Sequence, residues 1–543
     1  MKPPLFLLFL GALGCTTATE DSSPPAVVID PMAGVEPLPA PRLLRRISLD
    51  LRGTLPSIEE LDAVEADPAK VGDYAAEYLA SPTFEDRLAS QLAERWHTVL
   101  DTYEVNSNDY RLPQDQSDWF AHSVGEEPLR LIAHVVADNR PWSEVVTADY
   151  TMSNELLGMV WPLDYPAGET GWREAHYTDG RPAAGVLSTN GFYWRYITNA
   201  SNKSRGRVAA ISRLLLCNDI LGRPIEFQRS TILDPEEAIR TAPGCVTCHS
   251  TVDPIAASMF GFWWTISYNP YEMQTYHPER ERLGPELLQT EPGWYGTQTG
   301  GLVDMGWYIS HDPRFQHCAA QSFAEEYWHR ESTMEDYTQI DGLWADFLAD
   351  QERPQGLLLA VLQTPQYTAG SFTEEATEAT RDREQVERLI SPNQQRMMFE
   401  DLADLEWTQM GFVGLENDIT GFRTLAGGVD GYSVTSTQKV PGLTWELVNK
   451  RYSEAASQKV VARDLGVEGA ELLTVSELAR PGEAEFDDQL RALHWRLFAE
   501  RADDAWVADI GALWTAVDAD VGASKAWESV LEAMFRDPEF VSY

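Results

Sequence analysis

The sequence predicts a mainly α protein, built of multi-helical modules with one irregular, aromatic-rich segment, and three observations carry that expectation. The first is helical periodicity with start signals. Ser57-Ile58-Glu59-Glu60-Leu61 places a capping serine three residues before a glutamate, the pattern of a capping box. Apolar residues then recur at helical spacing through Tyr74, Tyr78 and Leu79, and again at Leu88, Leu92 and Trp96. The second is a repeated punctuation. Ser81-Pro82-Thr83-Phe84, Thr364-Pro365-Gln366-Tyr367 and Asp537-Pro538-Glu539-Phe540 each follow an apolar helical stretch. Proline stops the helix and the ring folds back onto it, a recurring helical-hairpin unit at irregular intervals. The third is a change of texture between residues 262 and 310. There Phe262, Trp263, Trp264, Tyr268, Tyr271, Tyr276, Trp294 and Tyr295 are mixed with Gly and Pro. Such a segment either walls a bound group or forms core under long loops.

The chain of 543 residues is long enough for about two to four domains. An apolar fraction of 43%, with 18 Trp, 20 Tyr and 19 Phe, excludes general disorder. Against 42 Lys and Arg stand 85 Asp and Glu, a formal net charge of −43. That surface repels nucleic acid and anionic lipid and favours basic partners or cations; it also keeps a large protein soluble.

Lys2 precedes an apolar run from Leu5 to Gly14, and Cys15 follows it. A basic residue, an apolar run and small residues before a cleavage point make a secretory signal. About ten helical residues reach only about 15 Å, so the run is too short for a membrane span. It resembles a bacterial lipoprotein signal, whose cysteine becomes the lipidated first residue; Ala12 departs from the pattern, where leucine is usual. The expectation is a protein of the bacterial cell envelope (outer membrane or periplasmic), tied to the membrane through lipid on Cys15. Residues 16–40, rich in Ser, Thr, Pro and Ala, then read as a flexible tether. An ordinary cleaved signal beside an incidental cysteine is the alternative.

The cysteines are Cys15, Cys217, Cys245, Cys248 and Cys318. Cys245-Val246-Thr247-Cys248-His249 is the attachment signature of a c-type haem. On a helix the two thiols and the imidazole stand at i, i+3 and i+4, along one face. Cys245 and Cys248 are therefore expected to form thioethers with one haem, and His249 to bind its iron as proximal ligand. Pro243-Gly244 marks a turn into the helix. A thioredoxin-like pair needs a βαβ context that the flanking sequence lacks, and a zinc site needs a second ligand pair at metal spacing. A local disulfide is the remaining alternative. With lipid on Cys15 and haem on the motif, Cys217 and Cys318 are left, and in an oxidising envelope they are expected to pair.

The other ring nitrogen of His249 needs an acceptor, for which the backbone near Pro254 is a candidate. For the opposite face of the iron Met305 and Met273 have the reach. Met259, His277, His311 and His317 are further candidates, and the sequence leaves the choice open.

At these residues the chain resembles the planctomycete-type cytochrome c-like domains and the helical domains of unknown function that accompany them. Arg45-Arg46-Ile47-Ser48-Leu49-Asp50-Leu51 is similar to the "RR-x-x-LDL" opening of one such module. Val146 to Asn154 resembles the "ADYTFVN" segment of another. Gly185 to Ser188, Arg205-Gly206 and Leu215 to Cys217, then the cysteine motif and Asp253-Pro254, resemble the module with the cytochrome signature. Phe315 to Cys318 with Phe323, Tyr327 and Arg330 resembles the module after it. Val252 and the run Ala256 to Gly261 depart from the pattern next to the motif. The modules are expected at 41–155, 156–310 (with the haem motif), 311–375 and 376–543.

The leading expectation is an envelope-anchored, mono-haem, cytochrome-like protein for electron transfer or as a redox accessory, with basic redox proteins as partners. The alternative is a structural or binding lipoprotein in which haem or a disulfide is structural. No G-x-S-x-G, H-E-x-x-H or Gly-rich phosphate loop occurs, so no catalytic residue is assigned.

Overall fold

A computed structural model describes residues 30–101, 112, 116–222, 234–263, 275–409, 412–416 and 422–543. Cys15, Met273, Trp264, Tyr268 and Tyr271 lie outside the described residues. The protein is mainly helical, and its strands among those residues are short antiparallel pairs. The last part of the tether expected over residues 16–40 is structured instead: Val35–Pro37 is a strand, paired with Ala369–Phe372. No described helix is long and apolar enough to cross a membrane.

Buried apolar side chains form two cores. One takes residues from Leu44 to Tyr367 together with Trp495 and Ala499, so segments from all three modules expected between 41 and 375 share it. The other takes residues from Ile390 to Tyr543 together with Leu49 and Leu55. Helix Ala40–Leu51 is the axle between them: Leu44, Ile47 and Leu51 face the first core, and Leu49 faces the second. A helix so placed must be apolar on more than one side, yet this one also buries Arg45, Arg46 and Asp50.

Those three charges are satisfied by distant chain. Arg45 donates to the carbonyls of Leu497 and Phe540 (2.9 and 2.8 Å), and Arg46 to those of Tyr367 and Ala369 (2.7 and 2.8 Å). The helix has no partner of its own for its last carbonyls. Arg87 and Gln394 donate to Leu49 O, and Gln91 to Asp50 O. Gly53 then turns the chain at φ 73°, and a side chain there would collide with Met397.

The Pro-x-aromatic units start helices as well as stop them. Thr364 and Asp537 cap the short helices Pro365–Thr368 and Pro538–Val541 with their side chains, and Ser81-Pro82-Thr83 turns directly into helix Phe84–Trp96. Proline suits a first turn because its missing N–H has no partner there anyway. Phe84, Tyr367 and Phe540 are all buried. The capping box at Ser57 and Glu60 is present, with both reciprocal hydrogen bonds.

Cys217, at the left-handed end of helix Arg205–Leu216, is bonded to Cys318 on helix Pro313–Trp328, closing 101 residues of chain. The aromatic stretch contributes core through Phe262, Trp263, Tyr276 and Trp294, whereas Tyr295 is exposed. Phe262 stacks on Tyr193 (centroids 4.0 Å apart), Phe260 stacks on Trp263 (4.6 Å), and Trp294 is buried.

Candidate functional site

Helix Pro243–Ala257 carries Cys245, Cys248 and His249 in its first turns. Its two halves differ in composition and therefore in burial. The first, from Pro243 to Ser250, is polar or small and leaves both cysteines and the histidine only partly covered. In the second half Val252, Asp253, Ile255, Ala256 and Ala257 are buried. Helices Arg205–Leu216, Pro235–Thr241 and Leu283–Leu288 pack on the motif helix, as does the hairpin Gly293–Trp294 with Thr297–Gln298. The anchored half thus holds the motif half toward solvent. Cys245 and Cys248 are free thiols.

The imidazole of His249 is locked from behind. A carboxylate only accepts, so Nδ1 donates its proton to Oδ1 of Asp253, 2.9 Å away and one helical turn on. Asp253 is 5% exposed. Arg205 grips the same carboxylate with two bonds, Nε to Oδ1 at 2.8 Å and Nη2 to Oδ2 at 3.0 Å. Arg205 also faces Glu236, which Lys203 approaches to 2.9 Å. Burial by itself would raise the Asp253 carboxyl; the hydrogen bonds from His249 and Arg205 outweigh it and hold the group below the usual carboxylate range. Nε2 of His249 has no hydrogen-bond partner among the described residues. The backbone near Pro254 is therefore not the acceptor; the carboxylate beside it is, because i and i+4 side chains meet on a helix.

The candidates for a second axial ligand sit on different elements. Met305 is 1% exposed within helix Leu302–Ser310, which packs against residues 144–147 and 185–188. Met259 is fully buried. His277 lies 3.3 Å from Glu279, His311 stacks on Trp307, and His317 contacts Asp341 at 3.2 Å.

Two polar features carry almost no signal in the sequence. One is a buried hub on Asp50, which accepts from the Tyr543 and Tyr367 hydroxyls (2.6 and 2.9 Å) and faces Arg388 and His329. In the sequence it shows only as an Asp between two leucines of the Arg45 to Leu51 segment. The other is a cavity of about 450 Å³ between the two cores, lined among others by Arg87, Glu94, Glu326, His329 and Arg388. The carboxylates of Glu94 and Glu326 have no hydrogen-bond or close ion-pair partner among the described residues, and Arg87 offsets their burial only in part. Burial pushes them up to about 7 and about 8, and repulsion from Glu94 adds to the rise at Glu326. At the surface His134, Asp138 and Glu174 converge, but Arg140 already pairs with both carboxylates, which makes the group an ion-pair cluster.

Residues 32–147 match the model of the PSCyt2 family, described as a protein of unknown function (DUF1549). This stretch contains the Arg45 to Leu51 segment and the first helices of the larger core. No curated protein and no solved structure matches the chain. Comparison therefore places the N-terminal part of the chain next to a planctomycete-type domain of unknown function and assigns no activity.

Proposed function

We propose that the protein is an envelope-anchored cytochrome-like protein that carries one covalent c-type haem on Cys245 and Cys248, with His249 as the proximal iron ligand. The observation that carries this reading is the arrangement at His249. Its Nδ1 is committed to Asp253, its Nε2 is without a partner among the described residues, and two free thiols precede it on the same partly exposed helix face. The residues present fit the group: both thioether sulfurs and one imidazole nitrogen are supplied within about one helical turn. A haem held there supplies one-electron transfer. The chain itself orients the imidazole, keeps the thiols accessible, and anchors the motif helix so that the attached group stays at the surface, within reach of a partner. The net charge of −43 favours a basic redox partner. Lipid on Cys15 would keep the reaction at the envelope.

Expression with c-type maturation machinery, followed by denaturing electrophoresis and staining for haem peroxidase activity, tests the proposal. The wild type should give a band that Cys248→Ala loses. A colourless wild type with both motif thiols alkylatable refutes it.

A further inference from the structure

Beyond attachment, the structure assigns a role to residues the signature does not contain: we infer that Asp253, clamped by Arg205, is the positioning residue that fixes the tautomer and ring plane of His249. Four charged side chains alternate in sign behind the motif. Lys203 and Arg205 flank Glu236, and Arg205 reaches on to Asp253. The two-bond grip of Arg205 leaves the carboxylate no free rotation, because turning it breaks both contacts. Asp253 is buried, so water does not replace those bonds. An imidazole that donates from Nδ1 to a carboxylate so held must keep its lone pair on Nε2, away from Asp253. Arg205 and Lys203 come from the start of one helix and its preceding turn, and Glu236 from another. The clamp therefore ties ligand orientation to the packing of three chain segments.

A second consequence rests on the haem reading. A carboxylate behind the proximal imidazole, even with Arg205 offsetting part of its charge, makes the ring a stronger donor than a backbone carbonyl would, which favours the more positive iron state and lowers the reduction potential.

The orientation is tested in haem-free full-length protein by long-range ¹H–¹⁵N correlation of the His249 ring, which reads the proton on each nitrogen directly. Wild type should show Nδ1 protonated and Nε2 bare. Asp253→Asn, which keeps an acceptor oxygen, should retain that tautomer, and Asp253→Ala should lose it. A wild-type ring protonated at Nε2, or an unchanged ring in Asp253→Ala, overturns the inference. Should Asp253→Ala fail to fold with Arg205 left uncompensated, the wild-type spectrum and Arg205→Gln decide; the latter should give mixed tautomers, and a single unchanged Nδ1–H form in it counts against the clamp. In haem-loaded protein Asp253→Asn should raise the midpoint potential above wild type, and an unchanged potential overturns the electrostatic part. If no haem attaches, the haem reading fails, while the ring spectrum still decides the clamp.

Discussion

Arg46 donates to the carbonyl oxygen of Tyr367 at 2.7 Å, across 321 residues of sequence. The same guanidinium holds Ala369 O and Val386 O, while its neighbour Arg45 holds Leu497 O, Phe540 O and Ser542 O. Two consecutive arginines thus read the two later Pro-x-aromatic turns, one for each core. The Arg-Arg pair near the N-terminus is a staple for chain that follows hundreds of residues later.

Replacing Arg45 by alanine removes the side-chain donor from three backbone carbonyls; replacing Arg46 does so for Ala369 and Val386 and leaves Tyr367 O with Arg388 alone. Arg45→Ala and Arg46→Ala should each destabilise the protein by about 3–5 kcal/mol in urea unfolding. Lysine should not restore the loss, since one ammonium cannot span carbonyls arranged for a planar fork. A loss below about 1 kcal/mol for both would show that the staple is incidental.

Asp50 sets a limit at low pH. Burial raises its carboxyl, but His329, Arg388 and the Tyr543 hydroxyl outweigh burial and hold it at about 2. A folded value below the unfolded one stabilises the protein fully above the ordinary carboxylate range. That stability is lost as the pH falls from about 4 to about 2. Asp50→Asn should be less stable at neutral pH, with a flatter pH dependence in that window by thermal melts. Parallel wild-type and variant curves would contradict this.

Glu94 and Glu326 act in the opposite direction. Their folded values lie above the unfolded ones, so folding favours the protonated forms. Stability then falls as the pH rises from about 4.5 to about 8 and is level above that. Glu326→Gln should stabilise the protein at pH 8 by about 1–2 kcal/mol and leave it nearly unchanged at pH 5. Equal effects at the two pH values would exclude a strained carboxylate pair.

The Cys217–Cys318 bond closes 101 residues. A double Cys217→Ser, Cys318→Ser variant should lose about 4–5 kcal/mol in the chain-entropy account, and reductant should bring the wild type to the same midpoint. Alkylation of the unfolded, unreduced wild type should label neither position.

Features written in neighbouring residues are legible in the sequence. The helices announce themselves by period and caps, as at Ser57 and Glu60, and the spacing of Cys245, Cys248 and His249 puts three donors on one face. The pairing of Cys217 with Cys318 follows from counting. The Pro-x-aromatic units are half legible: the stop is evident, whereas the start of a new helix at Thr364 and Asp537 depends on which backbone N–H groups lie free.

The sequence by itself determined the local elements, the apolar faces they must bury and the donor set of the motif, because those depend on residues within a turn or two of one another. Only the tertiary structure decided where the buried charges find distant partners: Arg46 with Tyr367, Asp50 with Tyr543, and Asp253 with Arg205. A buried ion needs a counter-group at hydrogen-bond distance, and which distant segment supplies it depends on how the helices pack, which no local pattern encodes.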